Sequence, residues 1–168
     1  MSLLSAARRV ARLLAQANHK IVFAESCTAG LVAASLSRIP GISAWHCGGL
    51  VTYRNETKTA WLGIDPKLLK RPGPVSEVVA QQMAEGVLIR TPEATIAAAV
   101  TGHLGPRAPE RLDGIVYIVV SSYDDVRRSS PDQTISTMQV SLPKDQGRAA
   151  RQRLAAEAVL LLVAKHLE

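Results

Sequence analysis

The fold is decided by residues 24–58, which read AESCTAGLVAASLSRIPGISAWHCGGLVTYRNETK. The apolar run Ile21 to Ala24 leads into this stretch and has the β-rich composition of a central strand covered on both faces. A helix is predicted from Thr28 to Ile39, where a Pro-Gly pair stops it. Gly48 to Tyr53 predicts a second strand. The stretch therefore alternates strand, helix and strand.

The rest of the chain continues this alternation. Further helices are predicted at 3–17, 55–62, 76–89 and 147–167, and further strands at 95–100, 115–121 and 134–142, the last two joined by a polar turn at 124–132. The order α-β-α-β-α-α-β-β-β-α predicts a single three-layer α/β/α domain over residues 1–168, with a mixed, mostly parallel central sheet. Ligands of open α/β sheets bind beyond the carboxyl ends of the strands, so Ser26, Tyr53 and Thr101 mark the expected site.

Composition excludes several classes of protein. The 168 residues are 47% apolar and 20% charged, which is typical of a globular domain with one core. No run approaches the ~20 apolar residues of a membrane span, and the amino-terminal residues lack the layout of a secretory signal, so we expect a cytoplasmic protein with no membrane partner. Neither the two Cys nor the four His have metal-ligand spacing, and we expect no metal and no other cofactor.

The net charge of +6 raises the question of a nucleic-acid partner. The basic residues are divided among the first helix, the loop around Lys67 and Lys70, and the segment from Lys144 to Arg153. No recognition helix or zinc finger is present, and no aromatic residues interleave with the basic ones. The excess suits an anionic small molecule at least as well, and we expect no nucleic-acid partner.

The stretch 24–58 contains the residue types from which a nucleophile without histidine is built. Ser26 and Thr28 lie where a strand becomes a helix, so the main-chain N–H groups there can bind an anion, or one of the two side chains simply caps the helix. Ser43 is either a turn serine or a nucleophile activated by a lysine of lowered pKa. Lys58 is either that lysine or a solvated charge. Tyr53 is either a half-buried core residue or an aid to the serine.

Several blocks of the sequence, taken together, resemble one known family. They are Ala24–Gly30, Gly41–Ala44, Val51–Lys58, Leu62–Gly63, Gly73–Glu77, Met83–Gly86 and Val100–Pro106. In this order they resemble the C-terminal domain of the competence/damage-inducible (CinA) family, known as nicotinamide-nucleotide amidases. The resemblance spans nearly the whole chain in one register.

The resemblance implies hydrolysis of the carboxamide of nicotinamide mononucleotide, giving nicotinate mononucleotide and ammonia without a metal. In this scheme Ser43 is the nucleophile, Lys58 is its base, and Tyr53 assists. The implied substrate-binding residues are Ser26, Thr28, Gly30, Asn55, Thr101, Gly102 and Arg148. The amount of apolar surface also leads us to expect a homo-oligomer.

The chain departs from the family pattern in three places. It has Gly105-Pro106-Arg107-Ala108-Pro109 where a Gly-Pro-Gly-Gly-like loop is usual, and 145–147 stand where Gly-Asp-Arg is usual, so that Arg148 or Arg107 would replace the missing arginine. His46 to Gly49 stand where an acidic-basic pair is common. The alternative hypothesis is therefore an inactive relative that binds a nucleotide without turnover, and a third, based only on net charge, is association with nucleic acid.

Overall fold

The computed structural model describes residues 1–123 and 133–168, so the polar turn predicted at 124–132 lies outside the described residues. The helices are α1 (Leu3–Ala17), α2 (Leu31–Ser37), α3 (Asn55–Leu62), α4 (Pro66–Lys70), α5 (Glu77–Arg90) and α6 (Arg148–His166). The strands are β1 (Ile21–Glu25), β2 (His46–Val51), β3 (Ile96–Gly102), β4 (Ile115–Tyr123) and β5 (Gln133–Ser141). Two short 3₁₀ turns lie at Ile42–Ala44 and Glu110–Leu112. The predicted order of elements is confirmed except for α4, a short helix that the predicted order does not contain.

The five strands form one mixed sheet in the order β2-β1-β3-β4-β5. β1 pairs in parallel with both β2 and β3, whereas β4 is antiparallel to β3 and to β5. The antiparallel half follows from chain length, because only nine residues separate β4 from β5, fewer than the dozen or more that a parallel crossover needs. The parallel half brings the carboxyl ends of β1, β2 and β3 to one edge of the sheet.

Helices cover both faces of the sheet, which confirms the predicted three layers. Successive side chains of β1 point to opposite faces, so Phe23 packs in one apolar cluster with α1, α2 and α6, and Val22 packs in another with α5. Residues 21–25 are buried throughout, as expected of a central strand covered on both sides. Among the described residues, no helix combines the length and apolar character needed to cross a bilayer.

The start of α2 differs from the prediction. The helix begins at Leu31 rather than Thr28, and Gly30 occupies the N-cap position without a side-chain cap. Residues 27–30 form a turn in which Ala29 and Gly30 both have positive φ, 51° and 93°. The carboxylate of Glu25, at the end of β1, accepts hydrogen bonds from the first turn of α2 and does what a capping side chain usually does.

α5 approaches the end of α3 closely through a glycine. A Cβ atom on Gly86 would lie 2.3 Å from the main-chain oxygen of Leu62, a separation that requires the two helices to move apart. α3 carries Lys58, so this contact sets where that side chain stands relative to the sheet.

We therefore expect Gly86→Ala to lower the free energy of unfolding by about 1–3 kcal/mol, because overpacking against main chain exceeds the gain in helix propensity. Gly147→Ala is the matched control, since Gly147 has negative φ and no atom within 4 Å of its would-be Cβ. Urea unfolding measures both variants. Equal stability of the two would contradict the close approach of α5 to α3.

Candidate active site

Three strand ends meet at the parallel edge of the sheet. The strand register pairs Glu25 with Val51 on one side and with Val100 on the other. The residues that follow, Ser26, Thr52 and Thr101, therefore lie in one row at the carboxyl edge. Main-chain hydrogen bonds continue the pairing there, from Ser26 N–H to the Val100 oxygen (3.0 Å) and from Thr52 N–H to the Glu25 oxygen (2.8 Å).

Lys58 reaches this row from the first turns of α3. Its side chain is only 2% exposed, and its Nζ donates to Ser26 Oγ at 2.9 Å and to the main-chain oxygen of Thr52 at 2.8 Å. Lys58 is therefore not a solvated charge. The serine hydroxyl that contacts Lys58 is that of Ser26.

Burial makes the amine of Lys58 a better proton acceptor at neutral pH than an ordinary lysine. Removal from water lowers the pKa of Lys58 to about 8, and the nearby thiol of Cys27 opposes this only in part. A lysine of this pKa has roughly a tenth of its molecules neutral at pH 7, whereas an ordinary lysine has well under a thousandth. The pair Ser26–Lys58 thus has the geometry and the electrostatics of a nucleophile with its base.

The structure does not bring Ser43 to Lys58, and the predicted pair of Ser43 with Lys58 is corrected on this point. Ser43 is exposed in the 3₁₀ turn before β2, whereas Lys58 follows β2. The six residues of β2 separate the two ends by roughly 17 Å of strand. Ser43 therefore lies at the amino edge of the sheet, and the serine in contact with Lys58 is Ser26.

At the predicted anion site before α2, the N–H of Gly30 and those of the first turn of the helix are already bound by a carboxylate of the chain itself. Glu25 Oε2 accepts from the N–H groups of Gly30 and Val32, and Oε1 accepts from Ala33. Thr28 is fully buried, with its main-chain oxygen accepting from Gln152, and neither Thr28 nor Gly30 lines the cavity described below. The sequence signal for Glu25 was a single acidic residue ending an apolar strand.

A cavity of about 210 Å³ opens directly above Ser26 and Lys58. Its lining includes most of the predicted site residues, namely Ser26, Lys58, Tyr53, Asn55, Thr101, Gly102 and Arg148. The lining also includes Cys27, His103 and the loop from Leu104 to Ala108. None of the described residues that line the cavity is acidic, whereas three basic residues line it, namely Lys58, Arg107 and Arg148. The cavity therefore favours an anionic ligand.

Arg148 crosses the mouth of this cavity from the first residue of α6. Its guanidinium donates to the hydroxyl of Tyr53 at 2.7 Å and to the main-chain oxygen of Gly105. Within the described residues, no hydrogen bond links the Tyr53 hydroxyl to Ser26 or Lys58. The Tyr53 hydroxyl thus contacts Arg148 at the mouth of the cavity. No direct contact among the described residues supports its predicted assistance to the nucleophile.

The loop after β3 forms one wall of the cavity and rests on a second arginine. Arg151 is 4% exposed and donates to Asp113 Oδ1 at 2.6 Å, to the oxygen of Leu104 at 3.3 Å, and to the oxygens of Pro143 and Lys144. Five hydrogen-bond donors in a rigid fork suit an arginine to such a set of acceptors. Arg107, in this loop, has φ of 67°, a conformation that glycine adopts more readily than arginine.

The residues that the structure describes contain no cluster of side chains suited to bind a metal ion. Across residues 1–123 and 133–168, no three His, Cys, Asp or Glu side chains are grouped to hold a metal ion. Both cysteines are free, and burial raises the pKa of the Cys27 thiol to about 12, which leaves it protonated and poorly nucleophilic beside Ser26.

Comparison with known proteins identifies the family. The family model of the CinA C-terminal domain matches residues 4–166. The chain belongs to the CinA C-terminal domain family. The structure is similar to a CinA superfamily protein from Klebsiella pneumoniae 700603, with a TM-score of 0.87 at 27% identity, over 99% of this chain and 98% of that one. It is also similar to the competence/damage-inducible protein of Agrobacterium tumefaciens, with a TM-score of 0.86 at 31% identity, over 98% and 94% of the two chains.

The curated relatives are much longer proteins. A CinA-like protein of Mycobacterium marinum is 54% identical over 97 residues, which are 58% of this chain and 22% of the relative. The chain thus matches about a fifth of the length of that relative. In this CinA-family domain three of the blocks that carried the resemblance adjoin the carboxyl ends of β1, β2 and β3, namely Ala24–Gly30, Val51–Lys58 and Val100–Pro106, whereas Gly41–Ala44 lies at the amino edge.

We expect Arg151→Met to lower the free energy of unfolding by about 3–5 kcal/mol, because it leaves the partly buried carboxylate of Asp113 and three loop oxygens without their donor. Arg153→Met is the matched control, since Arg153 is exposed on the same helix and should change stability by no more than about 0.5 kcal/mol. Urea unfolding measures both. Similar, small effects of the two substitutions would show that Arg151 does not hold the wall.

Proposed function

We propose that this CinA-family domain hydrolyses the carboxamide of nicotinamide mononucleotide to nicotinate mononucleotide and ammonia, with Ser26 as nucleophile and Lys58 as its base. The observation that carries the proposal is the 2.9 Å contact between Lys58 Nζ and Ser26 Oγ on the floor of a cavity. The reaction itself is what the family resemblance implies. The pair differs from the one expected from the sequence only in which serine reacts.

Each step of the reaction has a group to carry its proton. Neutral Lys58 accepts the proton of Ser26 Oγ as that oxygen attacks the carboxamide carbon. The resulting ammonium of Lys58 protonates the leaving nitrogen as the C–N bond breaks, so ammonia departs and an acyl-enzyme remains. Water then attacks the acyl carbon and loses a proton to Lys58. Lys58 returns this proton to Ser26 Oγ as the bond between Oγ and the acyl carbon breaks, so nicotinate mononucleotide leaves and both groups are regenerated.

The oxyanion of the tetrahedral intermediate needs donors close to Ser26. The N–H group of Cys27 follows the nucleophile directly, Cys27 lines the cavity, and within the described residues this N–H donates to no main-chain acceptor. The amide of the residue after a nucleophile is a common source of an oxyanion site. We assign this role to the N–H of Cys27.

A phosphate on the substrate suits the charge of the cavity. Arg107 and Arg148 lie at the rim, and guanidinium groups bind phosphate through paired hydrogen bonds. Burial, together with Arg148, lowers the pKa of His103, which therefore adds no charge at neutral pH. Arg148 thus stands in for the arginine of the usual Gly-Asp-Arg sequence, and binding of the phosphate would replace its contacts with Tyr53 and Gly105.

The alternative is a protein that binds the mononucleotide without turnover. The observation in its favour is the span of Arg148 across the cavity mouth, where it contacts both Tyr53 and Gly105. Cytoplasmic localisation, self-association and the absence of a nucleic-acid partner remain predictions from the sequence.

The test is ammonia release from nicotinamide mononucleotide by the purified protein and by Ser26→Ala and Lys58→Met. Loss of either member of a nucleophile-base pair lowers kcat by at least about 10³-fold, and we expect this of both variants. Ser43→Ala is the matched control, and we expect its kcat to stay within about twofold, because Ser43 is exposed at the other edge of the sheet.

An active Ser26→Ala together with an inactive Ser43→Ala would overturn the assignment of the nucleophile. Calorimetric binding of nicotinamide mononucleotide by a wild-type protein that releases no ammonia would instead support the binding-protein alternative.

A further inference from the structure

Glu25 is a buried ionisable group that the proposed chemistry does not use. Its side chain is 2% exposed, it ends β1, and it directly precedes Ser26. None of the ion pairs among the described residues includes it. A carboxylate in such a place needs compensation from its surroundings, and the source of that compensation indicates what the residue does.

Among the residues that the structure describes, the compensation comes from the main chain just after Ser26. Oε2 accepts from the N–H of Gly30 at 2.9 Å and of Val32 at 3.2 Å, and Oε1 accepts from Ala33 at 2.9 Å. The carboxylate also lies at the amino end of α2, where a negative charge is favoured. The turn between Ser26 and α2 contains two successive residues of positive φ, one of them Ala29, so it needs such support to persist.

The main chain of Glu25 is fixed just as firmly. β1 is paired on both sides at this residue, with Val51 and with Val100. Its carbonyl oxygen accepts from Thr52 N–H, and the Thr52 oxygen in turn accepts from Lys58 Nζ. One residue thus joins the strand that carries Ser26, the turn that follows it, and the carbonyl that holds the base.

The chemistry of the three contacts requires a carboxylate. Both oxygens of Glu25 face N–H donors, and a carboxylate accepts at both. The isosteric amide of glutamine would turn its NH₂ group toward one of those donors, so at least one N–H would be left without an acceptor. Aspartate keeps the charge but is one methylene shorter and cannot reach both Gly30 and Ala33 from the fixed main chain of β1.

We infer that Glu25 is a positioning residue that holds Ser26 Oγ against Lys58 by fixing the turn between β1 and α2. This inference rests on the proposed function in one respect, that Ser26 is the nucleophile, and it does not depend on the identity of the amide. Glu25 touches neither the substrate nor the reacting atoms. It acts through the conformation of the main chain on either side of Ser26.

The experiment measures the reactivity of Ser26 without the amide substrate. A fluorophosphonate forms a bond between Ser26 Oγ and phosphorus as the P–F bond breaks, with fluoride leaving and the proton passing to Lys58. Intact mass gives the second-order rate constant, peptide mapping gives the site, and Ser26→Ala is the blank. We expect Glu25→Gln to lower this rate constant at least about tenfold, because small displacements of a nucleophile have large effects on rate.

A residue that only stabilises the fold would not lower kcat while leaving KM unchanged. With nicotinamide mononucleotide, we expect Glu25→Gln to lower kcat by a similar factor while KM stays within about twofold, because the rim that binds the phosphate is unchanged. The matched control is Leu160→Ala, a fully buried core change twelve positions along α6 from Arg148, or roughly 18 Å away. It should lower the melting temperature and leave both rates near wild type.

The outcomes separate the two proposals. Wild-type reactivity in folded Glu25→Gln, or a loss in Leu160→Ala as large as in Glu25→Gln, overturns the role of Glu25 while Ser26 stands. If Glu25→Gln does not fold, Glu25→Asp carries the test, and wild-type reactivity there overturns the role equally. If wild-type Ser26 is labelled but no ammonia is released, the proposed substrate is wrong. The role of Glu25 is then still tested by the phosphonylation rate constants. No labelling of wild-type Ser26 overturns both assignments.

Discussion

The amine of Lys58 is held out of water at the carboxyl edge of the sheet, and the site is built around that constraint. Two acceptors meet the amine, the hydroxyl of Ser26 and the carbonyl of Thr52, and no carboxylate among the described residues pairs with it. Burial against only neutral acceptors penalises the charged form by roughly 3 kcal/mol, the equivalent of the drop in pKa. An acidic partner would have restored the ordinary pKa of a lysine, so its absence from the described surroundings is what makes Lys58 a base.

The architecture supplies these acceptors through strand pairing. Parallel pairing of β1 with β2 aligns Ser26 with Thr52. Lys58 lies one helical turn into α3, where its side chain faces both residues. The close approach of α5 at Gly86 fixes α3 from the other side. Glu25, the second buried charge, is satisfied by the main chain between Gly30 and Ala33 and does not line the cavity. The two buried charges therefore have separate tasks, one chemical and one positional.

Local patterns in the sequence predicted the elements well, because buried strands such as 21–25 and the turn residues between helices are visible one segment at a time. The rule that ligands bind at the carboxyl ends of strands also predicted Ser26 and Thr101 as site residues, and it excludes Ser43, which precedes its strand. The resemblance of the Gly41–Ala44 block pointed instead to Ser43, which is the wrong partner for Lys58. The contacts of Arg148 with Gly105, and of Arg151 with Leu104 and Asp113, join segments more than 35 residues apart, and no spacing in the sequence encodes them. Glu25 was missed as the cap of α2 because capping is usually sought in the residue just before a helix.

The central claim is that Lys58 is a neutral base near physiological pH, and a titration of that amine tests it most directly. NMR of protein labelled with ¹³C at lysine Cε follows each amine with pH, and Lys58→Met identifies the signal of Lys58 among the lysines. We predict a midpoint near pH 8 for Lys58, with the charged form below it and the neutral, proton-accepting form above it. A midpoint near 10.4, the value of an ordinary lysine, would contradict the account.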